Sequence, residues 1–509
     1  MKTLFKFIGI VALSAGICGC SALFRTNADA EVGSVSLVLD THRFAADTRA
    51  ATFDKTELQV SLQGDYSAEQ TVTVSGSQAA VSFAEIPVGS SVSVHISGQT
   101  EGDSSFYYGS STPVTIQKGQ NTVVVPIEAK RSTPYVLWHA ATNSEMNTQR
   151  GLYATQTLKN FNAKPTVEFD NASEFMGFCF DNDANLYIIH RISDTTSEVT
   201  ITLKKYAYSE KDASYNPELA SRPLTDLTAN THSLFVTCDN DNLYIATGRE
   251  TSDSSPIALY YAPRETALET SAKYKQIPAD IDNSAAVELT AIAAADGTIY
   301  LAYSYTPNSA SSNDTDLPTS TITIAAYGTD GTKKAEASDV ANMLGLETRA
   351  DVDTQISDLL VQDGVLYALI SQLSNSLINI PSDSENDPQQ YLYYSRGGVA
   401  KFSASNLTPD KSFGENGIRG WTTEKRELTS SSTVTGYWPA QDATSFYGPV
   451  RFAAIRPKKL VIADDGASIE NADQPCEQKN AIMEIDLASA TLTRTEVPVE
   501  FDRNIYVSF

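Results

Sequence analysis

The stretch LTAIAAADGTIYLAY, residues 289–303, decides the fold because its pattern recurs four more times along the chain. An apolar strand runs into an Asx or Gly turn, and a second apolar strand opens with an aliphatic-Tyr pair. The other copies are residues 176–190, 233–247, 356–371 and, in degenerate form, 449–464. Self-similarity of this kind is typical of a repeat fold, in which each unit packs mainly against its neighbours.

The spacing of the copies indicates the size of one repeat unit. Counted from the Tyr of each pair, with Val461 in the degenerate copy, the intervals are 57, 56, 67 and 94 residues. The first three intervals suit a four-stranded propeller blade with its loops, and the last can hold one blade plus an insertion. The chain is therefore predicted to contain five explicit blades.

A sixth blade is predicted to be shared between the two ends of the array. Residues 135–170 offer three short strands without a first one, and the chain ends in a lone strand, residues 504–509 (NIYVSF). Joining the two segments completes a blade and removes the edges that an open array would expose. We therefore predict an all-β protein with a six-bladed β-propeller over residues 131–509, closed by the C-terminal strand.

The first residues are typical of an export signal. Lys2 and Lys6 flank the start of a short apolar run, which is too short to span a bilayer. The run ends in Ile17-Cys18-Gly19-Cys20, which resembles the bacterial lipobox. This resemblance implies cleavage of residues 1–19, acylation of Cys20 and a lipid anchor in the membrane; the alternative is an ordinary secretory signal with a chance Cys.

A tether and a small domain are predicted to follow the anchor. By its resemblance to lipoprotein sorting signals, Ser21 implies an outer-membrane location in the cell envelope, and residues 20–33 are small and polar, as in a flexible tether. Residues 34–130 carry short period-two strands typical of a β-sandwich. Residues 86–94, 108–116 and 118–125 resemble the prealbumin-like or immunoglobulin-like modules of bacterial lipoproteins, which implies a spacer or assembly module.

The charge balance limits the kind of partner. Without residues 1–19, 35 basic residues stand against 62 acidic ones. Such a surface repels nucleic acid, so we expect no nucleic-acid partner and predict an envelope protein or a glycan instead.

The cysteines and the acidic turns indicate neither a metal site nor a cofactor. Cys179, Cys238 and Cys476 remain after the lipobox, an odd number without CxxC spacing. Cys179 and Cys238 lie in apolar strands, where either a buried small side chain or a bridge between neighbouring strands fits. The turns at residues 181–185 and 239–242 resemble calcium loops only superficially, and the simpler interpretation is a hairpin turn.

One loop carries a second resemblance. Residues 402–418 end in Ser412-Phe-Gly414 and Gly417-Ile418 after a leading Asp410, which is similar to a bacterial propeller-like repeat. The resemblance supports the architecture and implies no reaction.

Two groups of residues are candidates for ligand binding. In a propeller, the residues at the exits of the second strands surround the mouth of the central channel, where loops on a rigid scaffold concentrate function. The second group lies in the longest insertion, where aromatic side chains suit contact with a partner or a glycan. The candidates are Trp138, His139, His190, Arg249 and Tyr305 at the exits, and Tyr437 and Trp438 in the insertion.

The chain contains no HExxH motif, Gly-x-Ser-x-Gly elbow or phosphate-binding glycine loop. We therefore assign no catalytic residue and predict a non-enzymatic binding or assembly module. A propeller enzyme of the envelope, either a lyase or a hydrolase of glycans or peptides, and a surface adhesin are the alternatives.

Overall fold

The computed structural model describes most of the chain as β-structure. The described residues are 31–40, 53–76, 81–100, 105–139, 151–155, 158, 165–168, 173–193, 199–209, 214–224, 227, 234–248, 257–281, 287–305, 321–346, 352–380, 390–422, 425–430, 433–439, 444–456, 458–465, 467–468, 477–478 and 480–497. Within these ranges the protein is all-β apart from one short helix, α1 (Val340–Met343). None of the described helical structure is long and apolar enough to cross a membrane.

The N-terminal strands form one eight-stranded sheet in the order β3-β2-β5-β6-β8-β1-β4, with β7 beside β5. Its strands are β1 (Val32–Asp40), β2 (Phe53–Gly64), β3 (Ala68–Gly76), β4 (Val81–Pro87), β5 (Ser91–Thr100), β6 (Ser105–Ser110), β7 (Val114–Thr115) and β8 (Gly119–Arg131). The long strand β8 links the two halves of the sheet, because its first part pairs with β1 and its last part pairs with β6.

Both halves of the N-terminal sheet share one core. Alternating residues of β1, β4 and β8 and of β2 and β5 belong to a single buried cluster, as the period-two pattern predicts. Strand β1 begins inside the predicted tether, because Gly33 already pairs with Ile86 and Gly119. The first strand thus starts before residue 34, at which the sequence analysis placed the start of the β-sandwich.

The rest of the chain folds into a series of small antiparallel sheets. A three-stranded entry sheet is formed by β9 (Tyr135–His139), β10 (Gly151–Thr155) and β11 (Val167–Glu168). Sheet I contains β12 (Ser173–Phe180), β13 (Leu186–Ser193), β14 (Val199–Ser209) and β15 (Ser214–Pro223). Sheet II contains β16 (Leu234–Cys238), β17 (Asn242–Thr247), β18 (Ala258–Pro263) and β19 (Lys275–Ile277), and sheet III contains β20 (Val287–Ala295), β21 (Thr298–Tyr305), β22 (Thr321–Gly328) and β23 (Lys333–Ala337).

Two further four-stranded sheets complete the described series. Sheet IV contains β24 (Val352–Gln362), β25 (Val365–Ile380), β26 (Gln390–Ser403) and β27 (Ile418–Arg419). An insertion hairpin, β28 (Lys425–Ser430) and β29 (Thr433–Pro439), follows it. Sheet V contains β30 (Pro449–Arg456), β31 (Lys459–Asp464), β34 (Ala481–Asp486) and β35 (Leu492–Glu496), and the short pair β32 (Ala467–Ser468) and β33 (Glu477–Gln478) lies within it in sequence.

The repeated sequence pattern corresponds to the first hairpin of each four-stranded sheet. The aliphatic-Tyr pair opens the second strand, and all five equivalent residues are buried: Tyr187, Tyr244, Tyr300, Tyr367 and Val461. In sheet III, Asp296 and Gly297 have φ values of 48° and 68°. Two successive positive φ values define the tight hairpin turn that Asp-Gly favours.

The sheets pack against each other in chain order. The first strands β12, β16, β20, β24 and β30 contact one another in sequence, and β9 of the entry sheet contacts β30. The entry sheet also shares a buried cluster with sheets I and V. We call the end of the sheets at which first strands turn into second strands the turn end, and the opposite end the exit end.

The segment between the N-terminal sheet and the entry sheet is bound at the turn end. The Arg131 amide donates to the Asn182 carbonyl at 2.9 Å, and the Thr133 amide donates to the Ile455 carbonyl at 3.0 Å. The Ile455 amide donates in turn to the Thr133 hydroxyl at 2.9 Å. The N-terminal sheet therefore joins the repeat sheets at their turn end.

Candidate functional site

A cavity of about 100 Å³ lies between the first strands of sheets I to V, in the half nearer the turn end. Apolar first-strand residues form much of its wall. Its polar lining includes Cys179, Cys238, Asp239, Asp296, Asp358 and Arg451.

Asp358 and Arg451 form a buried ion pair in this wall. Asp358 Oδ2 lies 3.8 Å from Arg451 Nε, and the two side chains are only 13% and 9% exposed. The backbone amides of Leu359 and Phe452 donate to the Asp358 carboxylate at 3.0 and 2.9 Å. Burial raises the pKa of Asp358 to about 6, although Arg451 and the two amides oppose the shift.

Backbone irregularities position the pair. The pairing register shifts between Ile356 and Asp358 in β24, and between Pro449 and Arg451 in β30. A β-bulge inserts an extra residue and changes the direction of the side chains, and bulges occur often next to functional sites. These irregularities lie directly beside the two charged residues that meet between sheets IV and V.

A series of cation–π and aromatic contacts runs from Arg451 to the entry sheet. The Arg451 guanidinium lies 4.7 Å from the centre of the Phe178 ring, and the Phe178 ring meets the Trp138 ring edge-on at 5.9 Å. Trp138 is buried in the shared cluster of the entry sheet and sheets I and V. These contacts link β30, β12 and β9, so Trp138 contributes to the packing between sheets.

The two cysteines of the cavity are neighbours. Cys179 Sγ lies 3.8 Å from Cys238 Sγ, on the first strands of sheets I and II. The Cys238 thiol donates to the Phe180 carbonyl at 3.1 Å. Both residues keep partial solvent exposure, and burial of the sulfur is the main cause that raises the pKa of Cys179 well above its usual value.

The acidic turns bind their own hairpins and the neighbouring sheets. Asp239 accepts hydrogen bonds from the Asp241 and Asn242 amides, from the Tyr244 hydroxyl at 2.8 Å and from the Gly297 amide at 2.9 Å. In sheets I and II the hydroxyl of the repeated Tyr thus reaches the Asp that opens the preceding turn, whereas the Tyr300 hydroxyl of sheet III donates to the Ala404 carbonyl. The geometry of the Asp239 turn is that of an Asx turn.

The predicted exit residues lie on three separate sheets. His190 is buried in β13 opposite Thr202, whereas Tyr305 ends β21 and is 38% exposed. His139 ends β9 and pairs with Gly151 through its backbone. Arg249 lies outside the described residues, and the ligand-binding role of this set stays a prediction.

The predicted insertion residues lie on the hairpin that follows sheet IV. Tyr437 and Trp438 belong to β29, opposite Glu427 and Arg426 of β28. Strand β29 contacts both β25 and β26. In an antiparallel series, the connection from one sheet to the next starts at the end where second strands exit, so the insertion hairpin belongs to the exit end.

Strands β25 and β26 extend past the rest of sheet IV at the same end. Strand β24 pairs with β25 as far as Ser374, whereas β25 and β26 continue to pair through residues 378–380 and 390–392. The extended part of β26 begins Gln390-Tyr-Leu-Tyr-Tyr394. We call residues 375–380 and 390–393 the extended hairpin.

Buried polar contacts hold the base of the extended hairpin. Gln372 donates to the Thr354 hydroxyl at 2.9 Å and accepts from Arg396 Nε at 2.8 Å. The Arg396 guanidinium lies 4.9 Å from the centre of the Trp421 ring, just before the insertion hairpin. All three polar residues are buried, so their hydrogen bonds are costly to break.

A second buried contact holds the chain where it leaves the insertion. The Asp464 carboxylate accepts from Arg494 Nη1 at 2.6 Å and from the Tyr447 and Gly448 amides at 3.0 and 2.7 Å. The Arg494 guanidinium also lies 3.9 Å from the centre of the Tyr447 ring. Both ends of the insertion are thereby fixed to the sheets.

Asp358 and Arg451 were missed as a pair by the sequence analysis. The available signal was a charged residue within an otherwise apolar first strand, as in residues 356–361 and 449–454. That signal identifies each residue separately and does not indicate that the two residues are in contact. Their proximity depends on the packing of sheet IV against sheet V.

Comparisons with known proteins give one family match and several distant structural similarities. Residues 338–506 match the family described as the TdpA C-terminal domain. No curated protein matches the chain. The match therefore covers sheets IV and V and the insertion hairpin.

The similar solved structures have very low sequence identity. The β-propeller domain of the Trilobed protease from Pyrococcus furiosus is 8% identical, with a TM-score of 0.27 over 64% of this chain and 72% of that chain. An ACO/RPE65 chimera is 9% identical, with a TM-score of 0.31 over 88% of this chain and 92% of that chain. TcdA4 of Morganella morganii is 10% identical, with a TM-score of 0.22 over 64% and 17%.

Proposed function

We propose that this protein is a lipid-anchored module of the cell envelope, located at the outer membrane, that binds a protein or a glycan without catalysing a reaction. Its parts are a lipid on Cys20, a β-sandwich over residues 34–130 and a six-bladed propeller closed by residues 504–509. Its binding face is the exit end of the propeller.

The propeller is supported by the contacts between first strands, which follow chain order from β12 to β30. The entry sheet lies against sheet V through β30 and against sheet I through Trp138 and Phe178. A strand formed by residues 504–509 beside β9 gives this sheet the inner strand that sheets I to V each possess.

The observation that carries the binding function is the pair of hairpins at the exit end. The insertion hairpin contacts β25 and β26. It carries Tyr437 and Trp438, and the extended hairpin carries Tyr391 and Tyr393. Aromatic side chains on a rigid base are favoured in binding surfaces because they bury a large area at a low entropic cost. The contacts of Gln372 and Asp464 supply that rigid base.

The size of the cavity favours the exit-end surface over the turn-end cavity as the binding site. Pockets for drug-sized ligands have volumes of roughly 300–1,000 Å³, whereas the cavity has about 100 Å³. Several waters fit in that volume, but a glycan or a peptide does not. This difference also argues against an enzyme that acts on such substrates within this cavity.

The attachment of the N-terminal sheet also favours the exit end as the binding face. Its linker is bound at the turn end through Arg131 and Thr133. With the lipid on Cys20, the turn end is the side nearer the anchor, and the exit end points away from it. A partner thus reaches both hairpins without displacing the N-terminal domain.

Capture of partners from intact cells tests this proposal. The lipidated full chain is crosslinked in cells and purified, and captured partners are quantified for the native chain and for Tyr437→Ala/Trp438→Ala and Tyr391→Ala/Tyr393→Ala. We expect each double variant to lower capture at least about tenfold, since truncating two aromatic anchors costs more than about 1.4 kcal/mol.

The matched control is Leu219→Ala, which truncates a side chain that is 59% exposed on the outer strand β15. This variant should capture partners as the native chain does. Unchanged capture by both aromatic variants, or an equal loss with Leu219→Ala, refutes the exit end as the binding face.

A further inference from the structure

The cysteine pair of the cavity lies outside the proposed binding face. Cys179 and Cys238 are separated by 59 positions in sequence, yet their sulfurs lie 3.8 Å apart. They belong to β12 and β16, the first strands of two neighbouring sheets, which contact each other directly. No backbone hydrogen-bond ladder is described between these two strands, which pair instead within their own sheets.

We propose that Cys179 and Cys238 form a reversible disulfide that joins sheet I to sheet II. A disulfide bond is about 2.05 Å long, so the sulfurs must approach by less than 2 Å from their separation of 3.8 Å. Rotation of the two side chains supplies a movement of that size. The Cys238 thiol then gives up its hydrogen bond to the Phe180 carbonyl.

In this proposal, access through the cavity makes the bond reversible. Both cysteines are partly exposed, and both line the cavity near the turn end. A small disulfide or thiol can thus reach the pair, whereas a disulfide sealed in a core exchanges slowly. The proposed export of the chain would place the pair in a compartment where disulfides persist, but the chemistry itself does not depend on that location.

The oxidant in this proposal is a disulfide, either on a protein or on a small molecule such as oxidised glutathione. In this proposal Cys238 attacks the oxidant first, because burial raises the pKa of Cys179 and disfavours its thiolate. This step breaks the bond in the oxidant, forms a mixed disulfide on Cys238 and releases one thiolate, which takes up the proton lost by Cys238. Cys179 sulfur then attacks Cys238 sulfur, and the second leaving thiolate takes the proton of Cys179.

The test uses the lipidated full chain in detergent with oxidised glutathione. Free thiols are then blocked with N-ethylmaleimide, and unreduced peptides are analysed by mass spectrometry. We expect a linked peptide pair that contains Cys179 and Cys238, with release of two glutathione molecules per chain. Modification of both cysteines by N-ethylmaleimide, a glutathione adduct that persists on Cys238, or a link to Cys476 refutes the proposal.

Two variants provide the comparison. Cys476→Ser should form the same linked peptide as the native chain, whereas Cys179→Ser should stop at a glutathione adduct on Cys238. A reductant should lower the melting temperature of the oxidised native chain and of Cys476→Ser by about 5 °C. It should leave Cys179→Ser unchanged, and an equal effect on all three chains overturns the assignment.

Discussion

Asp358 and Arg451 illustrate how burial governs a charged pair inside the repeat array. Their closest charged atoms are 3.8 Å apart, so the attraction does not fully offset the loss of water around the carboxylate. The pKa of Asp358 rises to about 6 for this reason. A rise of this size corresponds to roughly 3 kcal/mol against the ionised form. The pair thus fixes the geometry between sheets IV and V more than it stabilises the fold.

This shift predicts a specific pH dependence of stability. The folded chain holds the Asp358 proton up to a pH of about 6, whereas an unfolded carboxyl group loses it near about 3.9. Between these values the folded state binds more protons, so rising pH lowers the free energy of unfolding. From pH 5 to pH 7.5, this group should lower it by about 1.5 kcal/mol.

Denaturant unfolding of native and Asp358→Asn chains at both pH values measures this contribution. The variant should lack that part of the pH dependence. Asp410→Asn is the control, because hydrogen bonds from Ser412 and Lys401 lower the pKa of Asp410 to about 2, below the tested window. If Asp358→Asn retains the native pH dependence, the carboxyl group does not titrate as described.

The repeated element is a hairpin, and in sheets I and II side chains bind its turn to its second strand. In sheet II, Asp239 binds the amides of its own turn and the hydroxyl of Tyr244. In sheet IV, Asp363 and Gly364 repeat the positive φ values of Asp296 and Gly297. Such local contacts explain why the same short pattern recurs, since each hairpin specifies its own turn.

The entry sheet leads to a prediction at the level of the element. If residues 504–509 form its inner strand, deleting them exposes β9 and removes contacts to the neighbouring sheets. The melting temperature should fall by at least about 5 °C, because several apolar side chains lose their burial. Calorimetry of the native and truncated chains checks this, and an unchanged melting curve counts decisively against closure.

A point substitution distinguishes the effect of strand pairing on stability from the effect of removing the terminal residues. Val507→Pro removes one backbone donor and should destabilise the protein nearly as much as the deletion. Val507→Thr keeps the β-branched shape and the donor, so it should cost less. Equal melting temperatures for both substitutions and the native chain contradict a paired terminal strand.

In the whole molecule, the linker determines which end of the repeat sheets faces the N-terminal sheet, and the net charge affects how the protein attaches to a membrane. The linker binds the turn end through Arg131 and Thr133, and the chain without residues 1–19 carries 35 basic against 62 acidic residues. An acidic surface is repelled by anionic headgroups. The proposed lipid therefore has to supply the membrane attachment, because the protein surface does not favour it.

The anchor yields the prediction for the whole molecule. Cys20→Ala should move the protein from the membrane fraction to the soluble fraction and abolish labelling with a fatty-acid analogue, since a multiply acylated terminus is a stable anchor. Cys18→Ala should keep both the label and the membrane location. If Cys20→Ala is still labelled and Cys18→Ala is not, the cleavage site is misplaced.

The β class and the five repeated hairpins are predictable from the sequence alone. These features depend on period-two alternation and turn chemistry, which are local properties of the chain. The sequence also placed an insertion before Val461, where the structure has the hairpin of β28 and β29. Residues 1–30 and 498–509 are outside the described residues, so the anchor at Cys20 and the closing strand stay predictions.

Only the tertiary structure decided which distant residues meet. Phe452 and Asp358 are 94 positions apart and Cys179 and Cys238 are 59 apart, yet each pair is in contact. Trp138 is a further example. The sequence predicted it at a channel mouth, whereas the structure buries it against Phe178. Such contacts depend on the rotation between successive sheets and on β-bulges, and neither leaves a periodic signal in a single sequence.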